Sequence, residues 1–539
     1  MKAAKTVTAV FFAVLTLAGL LTCADYGLPC DELAEQQILR GNMHEYARCL
    51  LGRDSAAAQW YAAKGALPIS ESIEKDHGQA AYYAFVPVLT ALEDQPHVLT
   101  VAWKMYTWLW FMVGVFSVYG FCREMGISRP ISAIGSLLLY LCPRFFAEGH
   151  YNNKDVVLLA LALATLWLGL RFLKQPGFRR GVLFSLAGAL AANTKIVGAL
   201  PWGLMGLCAV VLVTARRQWS WRMLGTALST VACFAAFYTL LTPAMWTNPW
   251  TYLKYLLINA AGFTRWPGVV LFRGMIFDHD VNPLPRYYLI WMMLVTLPLY
   301  VVPLAAAGQL AALVRVIRQK AGALRDPGSL ALTAVSFCWF LPLLAAVGMR
   351  PLVYNGWRHF YFVYAGVVLL AAYGVQAILR HAKKICLELP MHRVIAAGLC
   401  LLLGWQAWGI VQNHPNQYAY YNRLDRTNAE ADMELDYWNV STVGAMEQLL
   451  ACKRNEELPL VLTGSDPMSS LGVELGHQML SPEDRAELKV EKRTDDAPYI
   501  LSNTTYARIY GVKPPEGYHP LLSVKSYGLK MCTIYEKDE

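Results

Sequence analysis

Long apolar blocks recur along the chain, each set off from the next by a short polar segment. They fall near 5–24, 98–121, 131–147, 155–173, 181–194, 196–214, 223–243, 286–312, 329–348, 360–379 and 394–412. Most run to roughly 18 residues or more, the length that crosses a bilayer core as a helix. Backbone polar groups inside a bilayer must be satisfied within their own segment, so the blocks predict helices. The pattern therefore predicts a multi-pass α-helical membrane protein with about eleven transmembrane helices. The block at 181–194 is short and rich in Gly and Ala. Reading 181–214 as one long helix is the alternative, and it would invert the side of every later loop.

Charge decides between the two. Lys2 and Lys5 precede the first block, Arg123 and Arg129 share one short loop, and Lys174, Arg179 and Arg180 share the next alternate one. Arg216, Arg217 and Arg222 follow, then Arg315, Arg318, Lys320 and Arg325, then Arg380, Lys383, Lys384 and Arg393. Every second loop is basic only if 181–214 holds two helices. Short cytoplasmic loops collect Lys and Arg, which places the N-terminus in the cytoplasm and the C-terminus outside, with 25–97, 244–285 and 413–539. The first block could also be a cleaved signal, since "LLTCADYG" ends in small residues; the later topology would not change.

Composition agrees. The 539 residues are 56% hydrophobic and 16% charged, where a soluble domain carries about a quarter charged residues. The formal charge of +9 belongs to the loops, so no nucleic-acid partner is expected. Residues 1–435 read as the membrane body. Residues 436–539 read as a small extracytoplasmic α/β domain, with a helical run near 441–454 and β-like runs in "LPLVLTG", "YILSNTT" and "LKMCTIYEK". Two helical stretches in 25–97 are expected to lie along the membrane surface. The Trp- and Tyr-rich loop 244–285 suits the interface and has the character of a lid. The 12 cysteines form no CxxC pair and no metal-ligand spacing. Disulfides Cys30–Cys49 and Cys452–Cys532 are expected in an oxidising compartment.

The unusual segment is "FFAEGHYNNKD", Phe145 to Asp155, wedged between two apolar blocks. A solvated turn would explain it alone. It has company, however. Asp31-Glu32 follows the first block, Asn193-Thr194-Lys195 lies between two others, and "YNGWRHFYF" (Tyr354 to Phe362) opens the tenth. Charges this close to hydrocarbon are costly and usually functional. A carboxylate there can act as general base toward an alcohol or amine. Cations beside it can hold a phosphate. The set fits displacement at a carbon whose leaving group is a lipid-borne phosphate, with cations or a divalent metal stabilising the departing charge.

Those residues, with "PRFFAEGHYNNKD", "NTKIVGAL", "YNGWRHFYFVY", "HPNQYAYYNRL" and "DYW" at 436–438, resemble the polyprenol-phosphate-dependent glycosyltransferases of the GT-C class. The nearest group is the protein O-mannosyltransferase-like glycosyltransferase family 39 and its bacterial relatives. The resemblance implies a GT-C fold and inverting transfer of a mannose-like or other hexose or pentose from a polyprenyl-phosphate sugar. It implies Asp31 as catalytic base, Glu32 as its acidic neighbour, and Asp155 as the second acidic position. Lys195, Arg358 and His359 would bind the donor phosphate, and His150, Asn152 and Lys154 would line the site. Asp31 and Asp155 would be the ligands if a divalent metal is used; no other cofactor is implied. The chain departs from the family at Glu148-Gly149, and its tail lacks a β-trefoil MIR pattern. That favours a bacterial-type enzyme of the inner membrane, whose acceptor could be protein, lipid or glycan.

Other polar residues have plainer readings. Lys104 and Arg171 are expected to snorkel to an interface. Asp76-His77 could line an acceptor entrance or form a surface turn. Asp278-His279-Asp280 reads as a polar loop, and "NVS" at 439 and "NTT" at 503 match glycosylation acceptors. The rival function is a transporter or lipid flippase, which would place ionisable groups near the bilayer midplane. A membrane scaffold is the third.

Overall fold

The computed structural model describes residues 2–262, 268–278, 281–385, 390–453, 458–494 and 496–539. Each predicted apolar block coincides with helix. Among the described residues, nine helices are long and apolar enough to cross a membrane, and a bent pair makes up to ten. The remaining block is Phe178–Thr194, whose 17 residues fall just short of a full span. It is separate from Ile196–Ala215, because Lys195 between them is extended (φ −153°, ψ 140°). The predicted helix at 286–312 is broken into Tyr288–Thr296 and Val301–Gln319. The break falls at Leu297 (ψ 148°), whose backbone is kept out of the helical region by Pro298.

The helix Asp155–Lys174 runs through the centre and is buried over most of its length, while Trp221–Leu241 leaves most of its apolar surface, Leu228 and Val231 included, outward. The basic loops meet at one end of the bundle. Lys174 reaches Glu124, Arg216 donates to the Arg325 carbonyl at 2.8 Å, and Arg325 donates to the Ala215 carbonyl at 3.0 Å. Asp31, Asp155, Lys195 and Arg358 lie where the same helices end or begin at the other side.

Among the described residues seven strands form two sheets: a hairpin of β1 (Val270–Phe272) and β2 (Met275–Phe277), and a five-stranded sheet. The larger sheet holds β3 (Leu460–Gly464), β4 (Leu488–Val490), β5 (Tyr499–Asn503), β6 (Tyr518–Ser526) and β7 (Leu529–Lys537), in the order β4-β3-β5-β7-β6. β3 runs parallel to β4 and β5, and β7 is antiparallel to β5 and β6. Helices Thr442–Cys452 and Pro467–Met479 bury Leu449 and Val473 against Leu462, Leu501 and Ile534 of the sheet. The three predicted β-like runs are β3, β5 and β7. Unforeseen were β4, three residues long, and β6, which carries Pro520 on an edge, where a missing N–H costs little.

Several expectations are overturned. Cys30, Cys49, Cys452 and Cys532 are all free thiols. Cys30 and Cys49 sit at opposite ends of the helix Glu32–Leu50, roughly 25 Å apart at 1.5 Å per residue, against about 7 Å for a bridgeable pair. Cys532 packs on Ser441 before the helix Thr442–Cys452, and Cys452 ends that helix. Lys104 does not snorkel: it is fully buried and donates to the Tyr26 carbonyl at 2.5 Å. Arg171 stays half-exposed beside Glu124 at 3.5 Å. Asn439 and Asn503 are buried and hydrogen-bonded to each other, so neither triplet offers a glycosylation site. Positions 279–280 of Asp278-His279-Asp280 lie outside the described residues.

One buried ion pair ties the bundle to the segment leading into the sheet. Arg144 donates to Glu434 at 3.0 Å with both side chains inaccessible, and the rings of Tyr418 and Tyr421 cover the guanidinium. Removing one partner strands the other's charge, which costs about 3–5 kcal/mol. Arg144→Met should therefore lower the melting temperature of the solubilised protein clearly more than the double change with Glu434→Gln. Non-reducing peptide mapping should find Cys30 and Cys49 unbridged.

Candidate active site

The segment "PRFFAEGHYNNKD" is not a surface loop. Helix Arg129–Tyr140 stops, Cys142 is extended (ψ 114°), and Pro143 opens a second helix, Pro143–Tyr151, bent by 70° from the first. Proline holds the preceding residue extended and suits a first helical position. Every residue of the second helix is buried. Gly149 permits its approach to the helix Pro96–Glu124, since a Cβ there would lie 2.9 Å from the Phe111 ring. Asn152 then ends the helix. Its side-chain oxygen accepts from the Asp155 N–H at 2.8 Å, turning the chain into the central helix Asp155–Lys174.

Around this turn lies a cavity of about 510 Å³. Its polar part includes Asp31, Glu32, Glu35, Asp76, His77, Asn152, Lys154, Asp155, Lys195, Arg358 and His359. Its apolar part includes Val197, Leu200, Leu341, Pro342, Ala345 and Met349. Leu341, Met349 and Val197 are exposed and lie in helices long and apolar enough to cross a membrane, so the greasy wall of the cavity is formed by the spans themselves. Lys195 stands at the seam, next in sequence to Ile196 and Val197.

Among the described residues, three ion pairs line the cavity. Arg358 Nη1 lies 3.0 Å from Asp31, Lys154 lies 2.8 Å from Glu35, and Lys195 contacts Asp155. His77 Nδ1 lies 2.7 Å from Glu74; burial, then the nearby Lys154, holds His77 below the usual histidine range, so it is neutral at pH 7. The Asp31 side chain is 41% exposed and Asp155 only 3%. Asp31 is thus far more open to an incoming molecule than Asp155. Glu32 borders the same cavity but is buried and turned toward Gln36 at 3.2 Å. Burial raises its carboxyl above the ordinary range, with Lys104 opposing.

The structure brings together Asp31, Glu32, Asp155, Lys195, Arg358, His359, Asn152 and Lys154. It does not bring in His150. That ring is buried between Tyr26 and Trp108, stacked at 4.2 and 4.3 Å, with its nitrogens on the Phe146 and Gly19 carbonyls. It is a packing residue, because it shares a helix face with Phe146 four residues earlier. A divalent metal between Asp31 and Asp155 does not fit the donor set either. Each carboxylate already carries a cationic side chain, and among the described residues no three His, Cys, Asp or Glu gather where they could hold an ion.

Sequence reasoning passed over Glu35, although it lies four residues after Asp31 on a helix and so shares its face. It had treated Glu148 only as a departure. Glu148 is buried and accepts from Tyr361, from Asn152 at 3.0 Å and from the Trp438 indole at 3.1 Å. Asp76 and His77 do line the cavity. They are held there because Gly78 lets the chain cross Asn193, whose carbonyl would sit 2.1 Å from a Cβ. The lid expectation for 244–285 is met in part: helix Pro249–Gly262 places Leu256, Asn259 and Ala260 on the cavity wall, and 263–267 lie outside the described residues.

No protein-family model matches the chain, and no curated protein matches it. Among solved structures it is similar to the crystal structure of ArnT from Cupriavidus metallidurans bound to undecaprenyl phosphate, with a TM-score of 0.44, 12% sequence identity and 98% of each chain covered.

The Lys154–Glu35 pair yields a direct check, since both side chains are nearly inaccessible. Lys154→Met leaves Glu35 with a stranded charge and should cost about 3 kcal/mol. Adding Glu35→Gln should return most of the lost melting temperature, and a double-mutant cycle measures the coupling.

Proposed function

We propose that the protein is a GT-C-type membrane glycosyltransferase that moves a hexose or pentose from a polyprenyl phosphate to an acceptor, with inversion at the sugar carbon. The observation that carries this reading is the single cavity in which a reachable carboxylate and several cations adjoin an apolar wall formed by the spans. The polyprenyl tail lies along Val197, Leu341 and Met349. Its phosphate sits at the seam, on Lys195 with His359 beside it. Asp31 takes the proton of the acceptor hydroxyl or amine as that atom attacks the sugar carbon. The bond from that carbon to the phosphate oxygen breaks, and the electron pair leaves with the polyprenyl phosphate.

Asp155 and Lys154 prepare the site. Asp155 holds Lys195 by its carboxylate, and Lys154 adds a second positive charge close by. Fixed cations in a partly dry cavity stabilise the leaving charge without reorganising at the moment of reaction. The N-terminus of Asp155–Lys174 points its partial positive charge at the same space. The basic loops at the far end of the bundle support a site on the outer face of the membrane, the arrangement proposed here for a bacterial inner-membrane enzyme. The ionisable side chains gather at helix ends rather than at mid-span, which fits an enzyme better than a transporter.

Asp31→Asn should cut turnover by about 10²–10⁴-fold, the usual contribution of a general base, while binding of undecaprenyl phosphate is kept. The assay follows release of lipid phosphate from a panel of labelled undecaprenyl-phosphate sugars in nanodiscs. Transfer by Asp31→Asn at the wild-type rate would refute the assignment.

A further inference from the structure

The resemblance implied a phosphate-binding role for Arg358, but its surroundings give it another. Its guanidinium carbon lies 4.3 Å from the Tyr354 ring, 4.6 Å from Tyr437 and 4.5 Å from Trp438. Nη2 donates to the Tyr437 hydroxyl at 2.8 Å and Nη1 to Asp31 at 3.0 Å. Nε is buried and makes no hydrogen bond. Arginine grips a phosphate through two neighbouring N–H groups presented as a free fork. Here the flat faces are covered by rings, and each terminal nitrogen spends one of its two N–H groups, one on a phenol and the other on a carboxylate. What remains is a rigid holder for Asp31.

The holder is built by the C-terminal domain, from the end of β5 and the short helix Thr504–Ile509 that follows it. The segment Leu435–Val440 is pinned from that side. Thr505 Oγ1 accepts from the N–H groups of Leu435 and Asp436, at 2.9 and 3.2 Å. Asn503 donates to the Asp436 carbonyl at 3.0 Å, and the Tyr506 hydroxyl donates to the Tyr437 carbonyl at 2.6 Å. The Asp436 carboxylate closes the turn by accepting from Val440 and Ser441 N–H, each at 3.1 Å. On the other side the Cys30 N–H donates to the Trp438 carbonyl at 3.1 Å. The residue before Asp31 therefore hangs on the same turn. Gly27 lets this chain lie close, since a Cβ there would fall 2.4 Å from the Val440 carbonyl oxygen.

We infer that Tyr437 and Trp438, held by the C-terminal domain, are positioning residues that fix Arg358 against Asp31, and that Arg358 orients the proton-taking carboxylate rather than anchoring the donor phosphate. This rests on the reading of Asp31 as the base. It gives the sheet domain a catalytic duty: it supplies one wall of the site and aligns both partners of the Asp31–Arg358 pair.

The test uses full-length protein in nanodiscs and three variants: Tyr437→Phe, Tyr506→Phe and Lys195→Ala. Tyr437→Phe keeps the ring and loses the hydroxyl, and Tyr506 does not line the cavity. Undecaprenyl phosphate binding is measured alongside turnover on the undecaprenyl-phosphate sugar that the panel identifies. Tyr437→Phe should lose about tenfold or more in kcat, the worth of a hydrogen bond to a charged group, and Tyr506→Phe, which removes a neutral hydroxyl–carbonyl bond, about threefold or more. Their KM and their affinity for undecaprenyl phosphate should stay within about twofold of wild type, a change too small to reflect a lost contact to a charged group. That retained affinity also reports an intact fold. Lys195→Ala should lose affinity. If Tyr437→Phe weakens lipid-phosphate binding as much as Lys195→Ala does, Arg358 is a phosphate anchor and the inference falls. Unchanged kcat in both tyrosine variants overturns it as well. Wild-type protein that binds no undecaprenyl phosphate contradicts instead the functional reading on which it rests.

Discussion

Glu148 is a carboxylate with no access to solvent, and the site is arranged around the need to satisfy it. A buried carboxylate without donors is too costly to keep. Three segments far apart in sequence supply them: Tyr361 after the break at 354–357, Asn152 at the end of its own helix, and Trp438 from the turn before the sheet. Each donor carries something with it. Asn152 also donates to Asp155 at 3.3 Å and starts the central helix. Trp438 covers the guanidinium of Arg358. One carboxylate thus sets the spacing between the Asp155–Lys195 pair and the Asp31–Arg358 pair, although it does not itself border the cavity.

The cavity gathers cations without being built from free charge. Its lysines each hold a carboxylate, which keeps them in place and limits the cost of burying them. Fixed cations stand at the seam between the polar and apolar walls, where the proposed function puts the lipid phosphate, and Asp31 is far more open than Asp155. The apolar wall depends on Pro342 and its neighbours in Pro327–Met349, where the helix turns one face into the cavity and another outward. One cavity then offers a polar and an apolar wall side by side.

Much of this was legible in the chain. Apolar length specified the helices, because a bilayer-spanning segment has no other way to satisfy its backbone. The alternation of basic loops separated 181–214 into two helices, and the break at Lys195 is where the structure has it. Asp31, Asp155, Lys195 and Arg358 were recognisable because charge next to long apolar runs is expensive and seldom idle. Glu35 was within reach too, through its helical spacing from Asp31, and went unread because a single acidic residue in a polar helix carries little signal.

What only the tertiary structure decided is which polar residues serve one another. His150 and Glu148 sit two residues apart on one buried helix, yet one is stacked between rings and the other organises the site. Local sequence cannot separate them, since the difference lies in Tyr26, Trp108, Tyr361 and Trp438, which arrive from elsewhere. The same holds for Cys30 and Cys49, set apart by the length of a helix, and for Arg358, whose task depends on a turn some 80 residues further along the chain that Asn503, Thr505 and Tyr506 hold in place. The sequence by itself determined the membrane-spanning helices and the inventory of charged groups, because hydrophobic length and the cost of burying charge act locally. Pairing, orientation and burial were settled by packing, because they depend on contacts between residues that only the folded chain makes neighbours.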